Sequence, residues 1–186
     1  MEFKPTKFKD AWLIIPKVFQ DERGFFLETF FQSTFVRHGI TRAFVQDNHS
    51  FSKSAGILRG LHFQLPPFTQ AKLVRVTAGK VFDVIVDLRK DSETFCQWES
   101  FELSAENFNM LYIPRGFAHG FLTLEPHTEF LYKVDNPYAP EYDSGIIWND
   151  PTLHIDWPMS DAILSDKDAA LEPLSGREFP FTMSNS

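Results

Sequence analysis

Cysteine is almost missing from the sequence: Cys96 is the only one among 186 residues. One cysteine excludes an intramolecular disulfide, so the fold does not depend on oxidation and suits the reducing cytoplasm. Long apolar runs are missing too. No stretch approaches the roughly 20 apolar residues of a membrane-spanning helix, and residues 1–4 lack the apolar core of a signal peptide. These absences predict a soluble, cytoplasmic protein with no membrane partner.

Basic residues are in the minority, with 18 Lys and Arg against 25 Asp and Glu and a formal net charge of −7. A negative chain is a poor partner for nucleic acid, so nucleic-acid binding is not expected. The sequence also contains no internal repeat and no linker. We therefore expect one domain over residues 1–186, with room for a sizeable core and a loose tail after about residue 174.

Short apolar segments separated by turns about every ten residues make up most of the chain. The clearest alternation lies in residues 72–89, where Phe82, Val84 and Val86 share one face of a strand and Asp83 lies on the other. Helical patterns are confined to residues 32–39 and to a short piece after residue 164. This pattern predicts an all-β jelly-roll barrel or sandwich with a few short peripheral helices.

Two segments leave their local structure open. Residues 44–52 form a polar island, which suits either a chain of Asx and Ser turns or contacts to the ring edges of a ligand. Trp98 is out of phase with Phe101 and Leu103, so this strand has either a bulge or an earlier start.

Histidines with metal-ligand spacing are also missing. Barrels of this type often hold a metal through a His-x-His pair, a Glu and a later His. His62 has no second His two residues on, and His119 stands alone between small residues. The sequence therefore predicts chemistry with no metal and no other cofactor.

Three charged or titratable side chains are concentrated in the middle of the chain. Arg59 and His62 lie in the short apolar segment 58–64, and Lys72 opens the next one after a proline-stiffened loop. A buried imidazole needs a partner and a buried guanidinium needs an anion. A base and a cation in one pocket indicate proton chemistry, although for His62 alone a satisfied core histidine is the simpler interpretation.

Five segments, in order along the chain, resemble the dTDP-4-dehydrorhamnose 3,5-epimerase family. They are residues 21–26, 46–50, 58–64, 114–121 and 148–151, and the resemblance runs from about residue 8 to about residue 168. It implies a cupin-type jelly roll without a metal, usually a homodimer. The implied activity is that of an isomerase in dTDP-L-rhamnose biosynthesis, with dTDP-4-dehydro-6-deoxy-D-glucose as the dTDP-sugar substrate.

The resemblance implies four catalytic roles. His62 matches the base that removes a proton next to the 4-keto group, and Asp168 matches the carboxylate that orients this imidazole. Lys72 matches the cation that stabilises the enolate, and Tyr132 the acid that returns a proton from the opposite face. Asp83 is a rival for the orienting role, since it too could point into the barrel.

The same resemblance implies a larger set of substrate-binding residues. The set is Arg23, Glu28, Gln46, Asp47, Asn48, Arg59, Lys72, His119, Tyr138, Asp143 and Lys167. The two arginines and His119 match contacts to the diphosphate or sugar, for which the planar donor fork of Arg is suited. Asp143 stands where a Glu is expected. Tyr138 has three interpretations: stacking on thymine, catalysis, or packing in a Pro-rich loop.

Strict strand alternation sends Arg59 and His62 to opposite faces, whereas the resemblance puts both at the ligand. A bulge or bend at Gly60 reconciles the two expectations.

Three other functions fit the same fold. A single-site epimerase acts at carbon 3 or carbon 5 only, a non-catalytic jelly roll only binds a nucleotide sugar, and a 3,4-ketoisomerase makes a 3-keto product. The presence together of His62, Lys72, Tyr132 and Asp168 favours catalysis over binding alone, because binding needs no base opposite an acid.

Overall fold

The computed structural model describes residues 1–184 and consists mainly of β-strands. The strands are β1 Glu2–Pro5, β2 Trp12–Ile15, β3 Val18–Asp21, β4 Gly24–Leu27, β5 Gln46–Ser52, β6 Leu58–Gln64, β7 Lys72–Ala78, β8 Lys80–Asp87, β9 Trp98–Ser104, β10 Met110–Ile113, β11 Phe117–Thr123, β12 Thr128–Val134 and β13 Asp143–Gly145. The helices are α1 Gln32–Arg37, α2 Asp166–Ala169 and a 3-10 turn at Pro140–Tyr142. Within residues 1–184, no helix is long and apolar enough to cross a membrane.

Two antiparallel sheets face each other, as in a jelly roll. One has six strands in the order β1-β2-β10-β7-β12-β5, the other has five in the order β13-β6-β11-β8-β9, and β3 and β4 form a separate hairpin. The core between the sheets includes Val74 and Phe130 from the first and Ile85 and Phe121 from the second. This arrangement confirms the predicted all-β jelly roll with short peripheral helices.

The five-stranded sheet is buried on both faces. On β8, Ile85 packs in the core between the sheets, while Val84 and Val86 pack in a second cluster on the outer side. Trp98 belongs to this outer cluster, and β8 pairs with β9 without a register shift. The out-of-phase Trp98 therefore reflects the earlier strand start, not a bulge.

The end of the chain is packed, so the expectation of a loose tail after residue 174 is wrong. Phe179 and Phe181 are 5% and 2% exposed. Their rings lie 5.9 and 5.5 Å from that of Phe63 on β6, and the Lys90 amide donates to the Phe181 carbonyl at 3.1 Å. The apolar outer face of the five-stranded sheet needs a cover, and the tail supplies it.

The polar island is a strand rather than a chain of turns. Residues Gln46–Ser52 form β5, which pairs along its whole length with β12. Because side chains alternate in a strand, Gln46, Asn48 and Ser50 face inwards, whereas Asp47 is exposed on the outer face.

Candidate active site

A cavity of about 330 Å³ opens between the two large sheets. It gathers nine of the predicted site residues, which are Arg59, His62, Lys72, His119, Tyr132, Tyr138, Asp143, Lys167 and Asp168. Lys72 and Tyr132 come from the six-stranded sheet, and His62 and His119 from the five-stranded one. Residues that are distant in sequence and carry the predicted chemistry therefore share one site.

A bulge at Gly60 turns both Arg59 and His62 into the cavity. In the ladder between β6 and β11, His62 lies opposite His119 and Arg59 opposite Phe121, so three steps on β6 match two on β11. Gly60 has a φ of +127°, and a Cβ there would lie 2.5 Å from the Gly120 Cα. Only glycine fits this close approach. The predicted bulge is confirmed.

His62 and Asp168 form a dyad. The His62 Nε2 and the Asp168 Oδ1 are 2.5 Å apart. Ser165, which caps α2, donates its hydroxyl to the Asp168 Oδ2 at 2.8 Å and accepts from the Asp168 amide at 3.1 Å. The short helix α2 thus holds the carboxylate in a fixed orientation against the imidazole.

Burial raises the pKa of Asp168, but hydrogen bonds from His62 and Ser165 more than offset this effect, and the net pKa lies below its usual range. The carboxylate is therefore ionised at neutral pH. The ionised carboxylate accepts a hydrogen bond from the His62 Nε2 and so holds the imidazole in one orientation.

Asp83 contacts His119 and not His62, so its rival role in the dyad is wrong. The His119 Nε2 lies 2.9 Å from the Asp83 Oδ2. Burial lowers the pKa of His119, and the nearby Asp83 offsets only part of this effect. His119 is therefore a neutral, oriented imidazole at neutral pH.

The Lys72 ammonium lies in the cavity without a close counter-ion: among residues 1–184, no carboxylate oxygen comes within 4.0 Å of it. Burial lowers its pKa to about 8, although Asp143 and Asp83 act in the opposite direction. A cation with so little negative charge close to it would be stabilised by a negative oxygen on a bound molecule.

Tyr132 enters the cavity from β12, where it lies opposite Asn48 on one side and Val74 on the other. Burial raises the pKa of its phenol. The hydroxyl therefore keeps its proton at neutral pH. Since His62 belongs to the other sheet, the candidate base and the candidate acid belong to opposite walls of the cavity.

Tyr138, Asp143 and Lys167 form a linked group at the rim. The Tyr138 hydroxyl donates to the Asp143 Oδ2 at 2.9 Å, and the Lys167 ammonium binds the same oxygen. The hydrogen bond to Asp143 raises the pKa of Tyr138. Asp143, at the position where Glu was expected, therefore holds two other predicted site residues.

Five predicted binding residues do not line this cavity: Arg23, Glu28, Gln46, Asp47 and Asn48. Arg23 lies on the exposed hairpin, paired with Asp21 at 2.6 Å, and Glu28 directly follows β4. Asp47 pairs with Lys133 at 2.7 Å on the outer face. Gln46 lies next to the site, because its Oε1 accepts from the Tyr138 amide at 3.1 Å.

Other cavity-lining residues were missed by the sequence argument, among them Ser50, Gln64, Gln70 and Ser165. Two of them carried a readable signal. Gln64 lies two residues after His62 and Ser50 two after Asn48, so alternation puts each on the face of a predicted site residue. Ser165 lies at the start of the short helix predicted after residue 164, where either Ser165 or Asp166 could be the cap, and Gln70 follows a loop without periodicity.

No group of three or more His, Cys, Asp or Glu side chains that could hold a metal occurs among residues 1–184. The expectation of chemistry without a metal stays a prediction.

An antiparallel jelly roll whose cavity combines a carboxylate-oriented histidine, a half-buried lysine and a tyrosine defines a class of enzymes that move protons on a bound molecule. Residues 5–176 match the model of one family within this class, described as dTDP-4-dehydrorhamnose 3,5-epimerase. The chain belongs to the dTDP-4-dehydrorhamnose 3,5-epimerase family.

Individual relatives agree with this assignment. A dTDP-4-dehydrorhamnose 3,5-epimerase of Salmonella typhimurium is 54% identical over 167 residues, which are 89% of this chain and 91% of the relative. The crystal structure of a Legionella pneumophila 3,5-epimerase in complex with dTDP-4-keto-L-rhamnose has 47% identity and a TM-score of 0.88, covering 92% of each chain. A 3'-monoepimerase from Streptomyces bikiniensis has 32% identity and a TM-score of 0.85, covering 91% of this chain and 86% of its own.

Proposed function

We propose that the protein converts dTDP-4-dehydro-6-deoxy-D-glucose to dTDP-4-dehydro-L-rhamnose by inverting carbons 3 and 5 of the sugar. The observation that carries the proposal is the His62–Asp168 dyad on one wall of a cavity and the protonated Tyr132 on the other, with Lys72 in the same space. Inversion requires a base and an acid on opposite faces of one carbon, and this cavity supplies both.

His62 removes the proton. Carbons 3 and 5 flank the 4-keto group, so loss of a proton from either one gives an enolate. The His62 Nε2 is bound to Asp168, which leaves Nδ1 to accept the proton from carbon. The imidazolium that forms is then stabilised by the carboxylate of Asp168.

Lys72 stabilises the enolate. As the C–H bond breaks, its electron pair moves into the ring and negative charge collects on the 4-oxygen. The ammonium is already in the cavity, so it stabilises that charge without reorganisation. Such a preorganised cation stabilises the transition state most effectively. His119, held by Asp83, adds a second oriented polar group beside it.

Tyr132 returns a proton to the opposite face of the enolate carbon. The new C–H bond inverts the centre, and a tyrosinate and an imidazolium remain. A proton must then pass from His62 back to Tyr132 through solvent before the next inversion, so the cycle consumes no net proton.

Arg59 and Lys167 bind the diphosphate. The Arg59 Nε is buried and has no hydrogen-bond partner among residues 1–184, and a buried guanidinium donor calls for an anion. The Lys167 ammonium is held at the rim by Asp143. Together they supply positive charge at the cavity of a chain whose net charge is −7.

The test of this function is NMR of the substrate in deuterated water. Deuterium at both carbons 3 and 5, with conversion to the L-lyxo sugar, is the expected result. Label at one carbon only would establish a single-site epimerase, a 3-keto product a ketoisomerase, and binding without label a non-catalytic module. The greater identity to the 3,5-epimerases than to the 3'-monoepimerase, 54% against 32%, favours the double inversion.

A Tyr132→Phe variant should separate proton removal from inversion. We expect epimer formation to fall about 10²-fold or more, the usual effect of losing a general acid, while deuterium still enters from the His62 face. The ratio of deuterium incorporated to product formed, measured by NMR, should therefore rise. Equal loss of both signals would instead give Tyr132 a role in holding the substrate.

The protein is also proposed to act as a cytoplasmic homodimer. The hairpin of β3 and β4 belongs to neither large sheet and exposes Phe19, Phe25 and Phe26 by 53%, 59% and 69%. Exposed rings of this size indicate a protein interface. A second copy is the fitting partner, because the hairpin and its flank carry Arg23 and Glu28, which match binding residues yet lie away from their own cavity.

Changing Phe25 and Phe26 together to Ser should therefore convert the dimer to a monomer and raise the KM for the dTDP-sugar. Light scattering after size exclusion measures the mass, and steady-state kinetics the KM. Phe95→Ser is the control, since Phe95 is another exposed ring, at 40%, on a different part of the surface. A wild-type monomer, or a dimer that survives the change, would refute this use of the hairpin.

A further inference from the structure

Gln64 ties the strand that carries His62 to the loop that follows β12. It is the last residue of β6, two positions after His62, and is 4% exposed. Its Nε2 donates to the Phe68 carbonyl at 2.6 Å and to the Pro137 carbonyl at 3.2 Å. Its Oε1 accepts from the Ala139 amide at 2.7 Å. One side chain thus binds the backbone on both sides of residue 138.

The residue between those two contacts is Tyr138, which reaches the rim of the cavity. Its amide donates to the Gln46 Oε1 at 3.1 Å, and its hydroxyl donates to the Asp143 Oδ2 at 2.9 Å. Asp143 also binds Lys167 and lies opposite Gln64 in the ladder between β13 and β6. The rim group is therefore connected to the catalytic strand at two points, and Gln64 takes part in both.

Both polar atoms of the Gln64 side-chain amide, Nε2 and Oε1, make hydrogen bonds. A glutamine side chain offers two N–H donors and one carbonyl acceptor, and here both donors meet carbonyls while the acceptor meets an N–H. The orientation is unambiguous, because a rotated amide would set its oxygen against two carbonyl oxygens. No other ordinary side chain of this length can make the same three contacts.

We propose that Gln64 is a positioning residue for the rim of the active site: by holding the backbone on each side of Tyr138, it keeps Tyr138 and Asp143 in place over the bound dTDP-sugar. The inference rests on the proposed function. It gives Gln64 no contact with the reacting carbons; Gln64 acts through Tyr138.

The expected signature is a change in binding rather than in chemistry. The position of His62 is set by Asp168 and by the bulge at Gly60, neither of which depends on Gln64. The rim residues Tyr138 and Lys167, in contrast, lie where they can hold the substrate. Loss of the Gln64 contacts should therefore weaken substrate binding and leave the proton-transfer steps nearly intact.

A matched control lies in the same loop. The Asn136 Nδ2 also donates to two carbonyls, those of Pro67 at 3.1 Å and Thr69 at 3.3 Å. Asn136→Asp therefore removes two amide-to-carbonyl hydrogen bonds and adds one negative charge, as Gln64→Glu does. It leaves the contacts at residues 137 and 139 in place.

The experiment compares Gln64→Glu, Gln64→Met and Asn136→Asp in steady-state kinetics. For both Gln64 variants we expect KM to rise about tenfold, as fits the loss of two or three buried hydrogen bonds, with kcat within about threefold of the wild type. Gln64→Met buries no charge, and it keeps the test valid if the Glu variant does not fold. Asn136→Asp should change KM by less than about threefold.

A double-mutant cycle with Tyr138→Phe tests whether Gln64 acts through Tyr138. In the Tyr138→Phe background, Gln64→Met should raise KM by clearly less than in the wild type, because the coupled group has already gone. Additive effects would overturn the proposal. So would a fall in kcat at constant KM, or an equal effect of Asn136→Asp.

The affinity for dTDP-glucose, which lacks the 4-keto group, provides a readout that needs no turnover. Calorimetry should show the same weakening of about tenfold for Gln64→Met. If the wild type failed to turn over its substrate, the proposed function would fail, while the binding comparison would still decide whether Gln64 holds the rim. Unchanged dTDP-glucose affinity in the Gln64 variants would overturn the inference by itself.

Discussion

The rate of proton exchange at carbons 3 and 5 of the sugar is expected to fall about 10²–10⁴-fold when His62 is replaced by Asn. The cavity contains two carboxylate-bound imidazoles, those of His62 and His119, and the proposed mechanism uses His62 as the base at carbon 3 and at carbon 5. Asn is chosen because it is polar, uncharged and smaller than His, so it removes the base without adding bulk, and the Asp168 carboxylate keeps its hydrogen bond from Ser165. NMR in deuterated water measures the exchange at each carbon.

Binding of dTDP should change little in the same variant, because His62 is assigned to proton transfer, and calorimetry measures that binding. The control is His127→Asn, a change of the same type in a turn with a φ of +57°, which Asn tolerates. It should leave exchange at wild-type rates. Exchange that persists at one carbon in His62→Asn would mean that a second base serves that carbon, and exchange at both would exclude His62 as the base.

The features that the sequence could predict are those set by local patterns. Alternation in residues 72–89 follows from the pleat of a strand, and the structure has β7 and β8 there. The bulge was predictable because a glycine stands between two residues that had to face one cavity. At Gly60 a Cβ would collide with Gly120, so the residue type itself carries the information.

The features that it could not predict depend on long-range packing. Nothing in the pattern around Asp83 tells whether it meets His62 or His119. The choice depends on strand order: His119 lies on β11, which pairs with the β8 strand of Asp83, whereas His62 lies on β6, one strand further away. The prediction of a loose tail after residue 174 failed for a related reason. Phe179 and Phe181 look like isolated apolar residues near a chain end, and their burial depends on apolar sheet residues such as Phe63 and Val86, more than ninety positions earlier.

The pairing of His62 with Asp168 was available only through the family resemblance. The two residues are 106 positions apart, and a single sequence carries no record of such a contact. The hairpin of β3 and β4 shows a limit of the resemblance itself. Resemblance selected Arg23 and Glu28 as binding residues, but one chain does not bring them to its own cavity, so their binding role rests on the proposed homodimer.

Activity should fall as the pH rises through about 8, because Lys72 must be protonated to stabilise the enolate. Burial lowers the pKa of Lys72 from 10.5 to about 8, so the free enzyme loses this cation above that pH. The pH dependence of kcat/KM reports the pKa values of essential groups in the free enzyme. We expect kcat/KM to drop about tenfold per pH unit on the alkaline side. Tyr132 does not account for this limb, since burial raises the pKa of its phenol above the usual range.

Two substitutions assign the alkaline limb to Lys72. Lys72→Met should lower kcat/KM by about 10²–10³-fold at pH 7, the typical effect of removing a group that stabilises developing charge. Lys72→Arg should retain part of the activity and move the limb to higher pH, because a guanidinium stays protonated. Lys80→Met, at a surface lysine paired with Glu102 and Glu125, should leave the profile unchanged. A profile that stays flat to pH 10, or an Arg variant with the same limb as the wild type, would show that Lys72 does not supply the charge on which catalysis depends.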